Sequence, residues 1–262
     1  MELQEAIGTR RSFRYLDPDR PVEIGKIQKM LEAARLASHF GNNNAARALV
    51  VQRATATPEQ IASLPSPVGG FQIQQAPVVI LWYIELDAMN DAGQRLRELV
   101  QVGALGYGEG RFEELERTLV PLFTRQREGL KLPGMVDMDL GQAVAQATLV
   151  AIEQGLGVCC QGSANWKKVE KAFGFPESCR IVVVQTVGYP AESREAGGQR
   201  PRLPFEQLFH LNSLANPFPR ADKVVKELEQ SRMLQHQAPL PGRDEEVEAL
   251  RRRYSLPRSG MI

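Results

Sequence analysis

The stretch Pro77-Val78-Val79-Ile80-Leu81-Trp82-Tyr83-Ile84-Glu85 is a dense run of β-branched and aromatic residues. Such a run reads as a buried strand, since these side chains fill a pleated, water-free surface well. A second run of the same character, RIVVVQTVGYP (180–190), predicts another buried strand, and ARALVVQ (46–52) a third. Helical signals surround them. Residues 22–38 place Ile24, Ile27, Leu31 and Ala34 at 3-4-3 spacing, an amphipathic helix. TPEQIASL (57–64) opens with Thr57 and carries Glu59 and Gln60 in its first turn, the signature of a short capped helix.

Residues 87–131 are charged and helical, with Leu96, Leu99, Leu115, Leu119 and Leu122 among the apolar positions. Gly103, Gly106, Gly108 and Gly110 interrupt them, which predicts two helices and a flexible joint. Asp139 is placed to cap the next helix, LGQAVAQATLVAIEQ, whose circumference is apolar almost all round. Such a helix must be buried on several sides, by the sheet or by another subunit. GLGVCCQG (155–162) reads as a helix stop and tight turn, and ANWKKVEKAFG (164–174) as a short helix ending at a glycine cap. The order is mixed α/β without a regular βαβ repeat.

From about Asn212 the character changes. Pro217, Pro219, Pro239, Pro241 and Pro257 divide a charged tail into two predicted helices, 221–235 and 243–254. The second begins Asp244-Glu245-Glu246 and ends Arg251-Arg252-Arg253, which suits the helix dipole. With so few apolar residues the tail cannot build its own core; it packs on another surface or is mobile.

The 262 residues carry 32 Lys+Arg against 31 Asp+Glu, a net charge of +1, with 43% hydrophobic and 24% charged residues. That is ordinary globular composition, and near-neutrality argues against a nucleic-acid binder, which needs a broad cationic excess. Cys159, Cys160 and Cys179 make no disulfide framework and lack metal-ligand spacing, which fits a reducing cytoplasm. The charged start MELQEAIGTRR is unlike a signal peptide. The apolar run Ala76 to Ile84 falls well short of the ~20 residues that span a bilayer. A protein of the cytoplasm, with no membrane or nucleic-acid partner, is expected. His39, His210 and His236 are scattered, so no metal site is expected. GxSxG, HExxH, Walker and GxGxxG patterns are absent. GYGEG (106–110) lacks both a preceding strand and a following Lys-Ser/Thr, and is read as a joint.

What remains is Arg10-Arg11-Ser12-Phe13-Arg14. In an extended segment residues 10, 12 and 14 share a face, and two guanidiniums with a hydroxyl suit a phosphoryl group. On composition alone a solvated basic turn explains the same residues. Gln199-Arg200-Pro201-Arg202 repeats the alternation near the other end of the core.

These pieces, in this order, resemble the flavin (FMN)-dependent nitroreductase family. The matching stretches are 10–14 with Asp17-Pro18, Ser38-His39-Phe40-Gly41-Asn42-Asn43-Asn44, Gln75-Ala76-Pro77, Asp139 through Gly157, Cys159-Cys160-Gln161-Gly162, Val187-Gly188-Tyr189-Pro190, and Arg202-Leu203-Pro204-Phe205-Glu206. They cover residues 3–210, so the chain divides into a domain at 1–211, with a helical insertion at 87–135, and a tail at 212–262. The resemblance implies an α+β fold, a mainly antiparallel sheet flanked by helices, in an intertwined homodimer with FMN at the subunit interface. It implies that Arg10, Arg200 and Arg202, with Arg11 in the same cluster, bind the phosphate. Ser12 and Arg14 would reach the ribityl chain, and Arg14 the N1–C2=O edge of the ring. Ser38, His39, Phe40, Asn42 and Asn44 would come from the partner subunit. Cys160, Gln161 and Gly162 match the turn that presents a backbone N–H to flavin N5.

The family often reads Gln-Pro-Trp where this chain has Asn44-Ala45-Ala46, so ring stiffness and bulk are lost; weaker packing of the following strand, or a different pocket shape, is expected. Tyr107, Phe112, Phe123 and Arg125 of the insertion either shape the substrate channel or pack the insertion's own helices. Trp166 and Phe173 read as core, and the Cys159-Cys160 pair as small buried packing rather than a thiol relay. The reaction implied is ping-pong: NADH or NADPH reduces the flavin, leaves, and a nitroaromatic, quinone or similar acceptor takes its place. No side chain is nominated as acid or base. The same fold also serves dehalogenation, flavin destruction and dehydrogenation. A flavin-binding protein with little turnover is a further alternative. The tail is then a partner-binding element or, as preferred here, an arm that wraps the second subunit.

Overall fold

The computed structural model describes residues 1–64, 70–162 and 165–256. One antiparallel sheet runs in the order β1-β2-β4-β3, with β1 Ala46–Gln52, β2 Val78–Glu85, β3 Gly157–Gln161 and β4 Cys179–Gly188. The two most apolar runs take the two central places. In β2 the side chains alternate between layers. Val78, Ile80, Trp82 and Ile84 join the cluster with α2 (Ile24–Arg35), while Val79 and Leu81 face the opposite cluster. Both faces are therefore covered, and α+β is the class observed.

The chain opens with α1 (Leu3–Thr9), which precedes α2. The second layer is built by α3 (Pro58–Ser63) and α4 (Gly70–Gln75). Thr57 and Gln60 close a reciprocal capping box at the start of α3, as the sequence predicts. The insertion comprises a 3-10 turn at Leu86–Asp91, then α5 (Ala92–Gln101), α6 (Arg111–Arg117) and α7 (Leu119–Leu130). Three helices stand where two were expected, because Thr118 breaks the second half; the glycine joint falls between α5 and α6. The insertion has its own small core of Leu96, Val100, Leu115 and Phe123.

The apolar helix, α8, spans Met135–Glu153 and starts four residues before the expected cap. Asp139 is inside it, so it cannot cap; instead Asp137 accepts from the Gly134 N–H at 2.7 Å. One side of α8, including Leu140, Ala143, Ala147 and Ala151, is buried against the sheet layer, while Met138, Gly141 and Ala145 are exposed. Sheet and helix are also joined through polar groups. The Trp82 indole N–H donates to Gln185 Oε1 at 2.9 Å, and the Gln185 amide donates to Thr148 at 2.8 Å. Buried polar groups need such partners, and here they fix the rotation of α8 on the sheet.

Three further sequence readings change. In α2 the buried positions are Ile27, Met30 and Ala34, and Ile24 is exposed; the helix begins at Ile24, before the face turns inward. Residues 157–161, read as a turn, are the edge strand β3; Gly155 does stop α8, but the strand pairs along β4 from Gly157↔Gly188 to Gln161↔Val184. Strand β1 keeps seven aligned partners on β2 after Ala45-Ala46, while its side chains are mostly half-buried, with Val51 buried. Helix α9 (Trp166–Phe173) ends at left-handed Gly174, and Trp166 and Phe173 pack on the core as expected. Ala164 of its predicted span lies outside the described residues.

After α10 (Phe205–Leu208), the tail forms α11 (Asp222–Gln230) and α12 (Arg243–Arg253). Its second half packs on its own chain. The Gln199 N–H donates to His236 O and Gln199 O accepts from Ala238 N–H, both at 2.8 Å, and Leu250 is buried. Residues 257–262, with Pro257, lie outside the described residues. Among the described residues no helix is long and apolar enough to cross a membrane, and no cluster of side chains could hold a metal ion.

Candidate functional site

Residues 12–17 are extended and lie along the sheet edge. Ser12 bridges Val158 of β3, the Phe13 N–H donates to Val158 O at 3.0 Å, and the Asp17 N–H donates to Tyr189 O at 2.8 Å. Phe13 and Tyr15 are buried, whereas Ser12 is half-buried and Arg14 exposed. The expected alternation therefore holds over residues 12–15: Phe13 and Tyr15 enter the core, and Ser12 and Arg14 face out.

Two adjoining cavities share Ile7, Arg10 and Arg11. One, of about 670 Å³, is lined by Arg200, Arg202 and Arg220 together with Phe205 and Leu208. The other, of about 350 Å³, is walled by Ser12, Val158, Cys159 and Cys160 on one side and by Gly141, Val144 and Ala145 of α8 on the other. Spacing i, i+3, i+4 gives α8 a flat face of small side chains there. The groove is thus cationic at one end and slot-like and largely apolar at the other. Burial lowers the Arg200 pKa, and the nearby Arg14, Arg243 and Arg10 charges lower it further, against the pull of Glu192. Among the described residues none of Arg10, Arg14, Arg200 and Arg202 is ion-paired with a carboxylate. Like charges held together in this way favour an anion between them.

Arg11 behaves differently from its neighbours. It is buried, and its guanidinium donates to Gly8 O, to Arg10 O at 3.0 Å, to Glu195 O at 3.2 Å and to Gln235 Oε1 at 3.0 Å. These bonds go to protein acceptors, so Arg11 is a tether for the segment rather than a phosphate ligand. The Arg200 guanidinium donates to Ala196 O and Gly198 O, which points it from its own loop, and Arg202 is exposed.

The stretch Ser38 to Asn44 lines neither cavity. It is held by the start of α8: Asp139 accepts from the Phe40 N–H at 2.9 Å and from the Asn43 amide at 3.0 Å, and Asn43 in turn accepts from the Ala45 N–H. Asn42 and Asn44 both adopt positive φ, 55° and 53°, conformations that asparagine tolerates better than most residues. Ser38 is exposed. Phe40 is not free to line a ligand: it stacks on Phe123 at 5.1 Å. Phe123 also presses on Gly41, where an added Cβ would lie 2.7 Å from the ring. His39 Nε2 and Gln161 Oε1 are buried with no hydrogen-bond partner among the described residues, while the Gln161 amide donates to Gln72.

Of the four insertion residues, Phe123 alone is built into the fold. Tyr107 is 96% exposed, Phe112 is exposed beneath the Arg111 guanidinium, and Arg125 is exposed. The cavity of about 250 Å³ inside the insertion is lined by none of them. Cys159 and Cys160 are consecutive in a strand and so point to opposite faces. Burial raises the Cys159 pKa, which keeps it a thiol at neutral pH and argues against a relay. Gly162 follows the strand on the exposed side.

Sequence reading missed two carboxylates that organise this region, Asp139 and Glu192. In sequence Asp139 has the look of a helix cap, and Glu192 carries no pattern beyond its place between Tyr189-Pro190 and the second arginine cluster.

The nitroreductase family model matches residues 7–189. Among solved structures, a protein of Exiguobacterium sibiricum assigned to the nitroreductases and solved in complex with FMN is 21% identical, with 81% of this chain and 98% of that one covered at a TM-score of 0.64. A protein of Staphylococcus epidermidis assigned as an NAD(P)H:FMN oxidoreductase is 18% identical, with 80% and 95% covered at 0.66. A gut-bacterial enone reductase of fatty acid saturation is 18% identical, with 81% and 98% covered at 0.63. No curated protein matches the chain.

Proposed function

Because the chain belongs to the nitroreductase family, we propose that it is an FMN-dependent oxidoreductase. It draws electrons from NADH or NADPH and reduces a small electron-poor acceptor such as a nitroaromatic or a quinone. A bound flavin would supply the redox chemistry, hydride transfer between nicotinamide and acceptor in ping-pong order. The chain's residues bind, orient and shield. Arg10, Arg200 and Arg202 hold the phosphate at the cationic end of the groove, where guanidiniums match its oxygens. Ser12 and Arg14 serve the ribityl chain, and Arg14 adds positive charge near the ring edge that becomes electron-rich on reduction. The small face of α8 and the β3 strand leave a flat slot, which Cys160 lines.

The second wall comes from a partner subunit in a homodimer, whose Ser38 to Asn44 stretch closes the slot. The exposed apolar row Leu203, Leu208, Phe209, Leu214 and Phe218 supports the reading of the tail as an arm over the partner. Because residues 233–250 dock on their own chain, the reaching part is the stretch before them. The protein works in the cytoplasm.

The observation that carries this reading is the convergence of Arg10, Arg200 and Arg202 on one open groove, with the Arg14 charge close enough to Arg200 to lower its pKa. Arg14→Ala tests it. Loss of flavin on purification, or slower reduction by NAD(P)H, is expected; full flavin content and an unchanged reduction rate would refute the assignment of the cluster.

A further inference from the structure

The C-terminal segment is stitched to both arginine-bearing stretches, and one buried carboxylate lies at the junction. The Glu192 side chain is 0% exposed. Its Oε1 accepts the Arg14 N–H at 2.6 Å and the Tyr15 N–H at 3.1 Å, and its Oε2 accepts from Arg243 of α12 at 2.5 Å. Arg243 forks: its other nitrogen donates to Glu246 at 2.8 Å, and Glu246 accepts the Ser193 N–H. A second set of bonds runs one segment away. Gln235 accepts from Arg11, its N–H donates to Gln199 Oε1 at 3.1 Å, and the Gln199 amide donates to Met233 O at 3.0 Å. Gly8 leaves room for this crossing, since a Cβ there would overlap the Arg232 carbonyl.

We propose that Glu192 and Arg243 form a brace that sets the Arg10–Arg14 segment and the Arg200 loop in register for the flavin phosphate, so that α12 is part of the cofactor site. Both are positioning residues, and the proposal rests on the FMN reading above. The physical argument is one of charge placement. Glu192 is buried near Arg14 and Arg200, whose charges it feels, and an unpaired carboxylate there would compete with the phosphate for those guanidiniums. Arg243 removes the competition by pairing with Oε2. Oε1 is then left to fix two backbone amides of the phosphate-binding segment. A cationic cradle needs this arrangement, because a carboxylate can order its backbone only if its charge is spoken for elsewhere.

The test compares FMN with riboflavin, which lacks the phosphate, by fluorescence titration of flavin-free protein. Arg243→Ala is expected to weaken FMN binding about tenfold or more, the scale on which misplaced binding groups act, while riboflavin affinity changes far less. Glu192→Gln, which keeps the side-chain volume, is expected to move the two affinities in the same unequal way, and it decides the matter should Arg243→Ala not fold. Equal losses for both flavins would mean a merely structural role, and unchanged FMN affinity would mean no role; either overturns the brace while leaving the cofactor reading intact. Wild-type protein that binds neither flavin would overturn the cofactor reading and the brace together.

Discussion

Arg10, Arg11 and Arg14 lie within five residues, yet they do three different things. Arg10 lines both cavities, Arg11 is consumed by protein acceptors, and Arg14 sits outward on a backbone held by Glu192. Arg200→Ala should therefore weaken FMN binding without unfolding the chain, whereas Arg11→Ala should lower thermal stability first; calorimetry alongside flavin titration separates the two. Asp139 gives a second contrast. Asp139→Ala leaves the Phe40 N–H unpaired and takes one of two acceptors from the Asn43 amide, which still donates to Phe40 O; the loss is about 1–3 kcal/mol, read as a drop in unfolding midpoint. Glu246 supplies a pH dependence. Burial pushes its pKa up, but the Ser193 N–H and Arg243 outweigh that and leave it below the ordinary glutamate value. A folded-state pKa that is depressed stabilises above the unfolded pKa and is lost as pH falls through the folded one. Wild type should therefore exceed Glu246→Gln in stability at neutral pH, and the gap should close as pH drops below about 4. A gap independent of pH would argue against the ion pair.

At the scale of elements, the legible parts were those with strong periodicity or composition. The runs at 46–52, 77–85 and 180–190 became β1, β2 and β4 almost to the residue, and the Gly174 and Thr57 signals marked true helix ends. β3 was misread because GVCCQ is short, glycine-led and without alternation; only its pairing with β4 makes it a strand. At Asp139 a cap and a tertiary acceptor look alike in sequence, and only the contacts with Phe40 and Asn43 separate them. The alternation at 10, 12 and 14 was legible because it is local, but the separate fate of Arg11 depends on Gln235, more than two hundred residues away. The same limit applies in the insertion, where Phe123 is set apart from Tyr107 only by what it touches. Phe123→Ala should cost about 3 kcal/mol and, because the ring backs Gly41, change the acceptor KM. Tyr107→Ala should leave stability within about 0.5 kcal/mol. Equilibrium unfolding and steady-state kinetics check both, and identical behaviour of the two variants would contradict the contact.

At the scale of the molecule, a net charge of +1 conceals a groove of about 670 Å³ lined by five arginines. The groove in one chain has a cationic end and one wall of a slot, and the Ser38 to Asn44 stretch lies elsewhere on the same chain; the proposed function therefore calls for a second copy to complete the slot. Sedimentation should show a dimer, and removing residues 212–262 should weaken it; an unchanged dimer affinity would contradict the arm. The most direct measurement is an anaerobic spectrum of the purified protein, titrated with NADH or NADPH and then with a nitroaromatic or quinone. A yellow protein that bleaches with a nicotinamide and recolours with the acceptor is the expected result; a colourless protein that takes up no added FMN would contradict the flavin assignment.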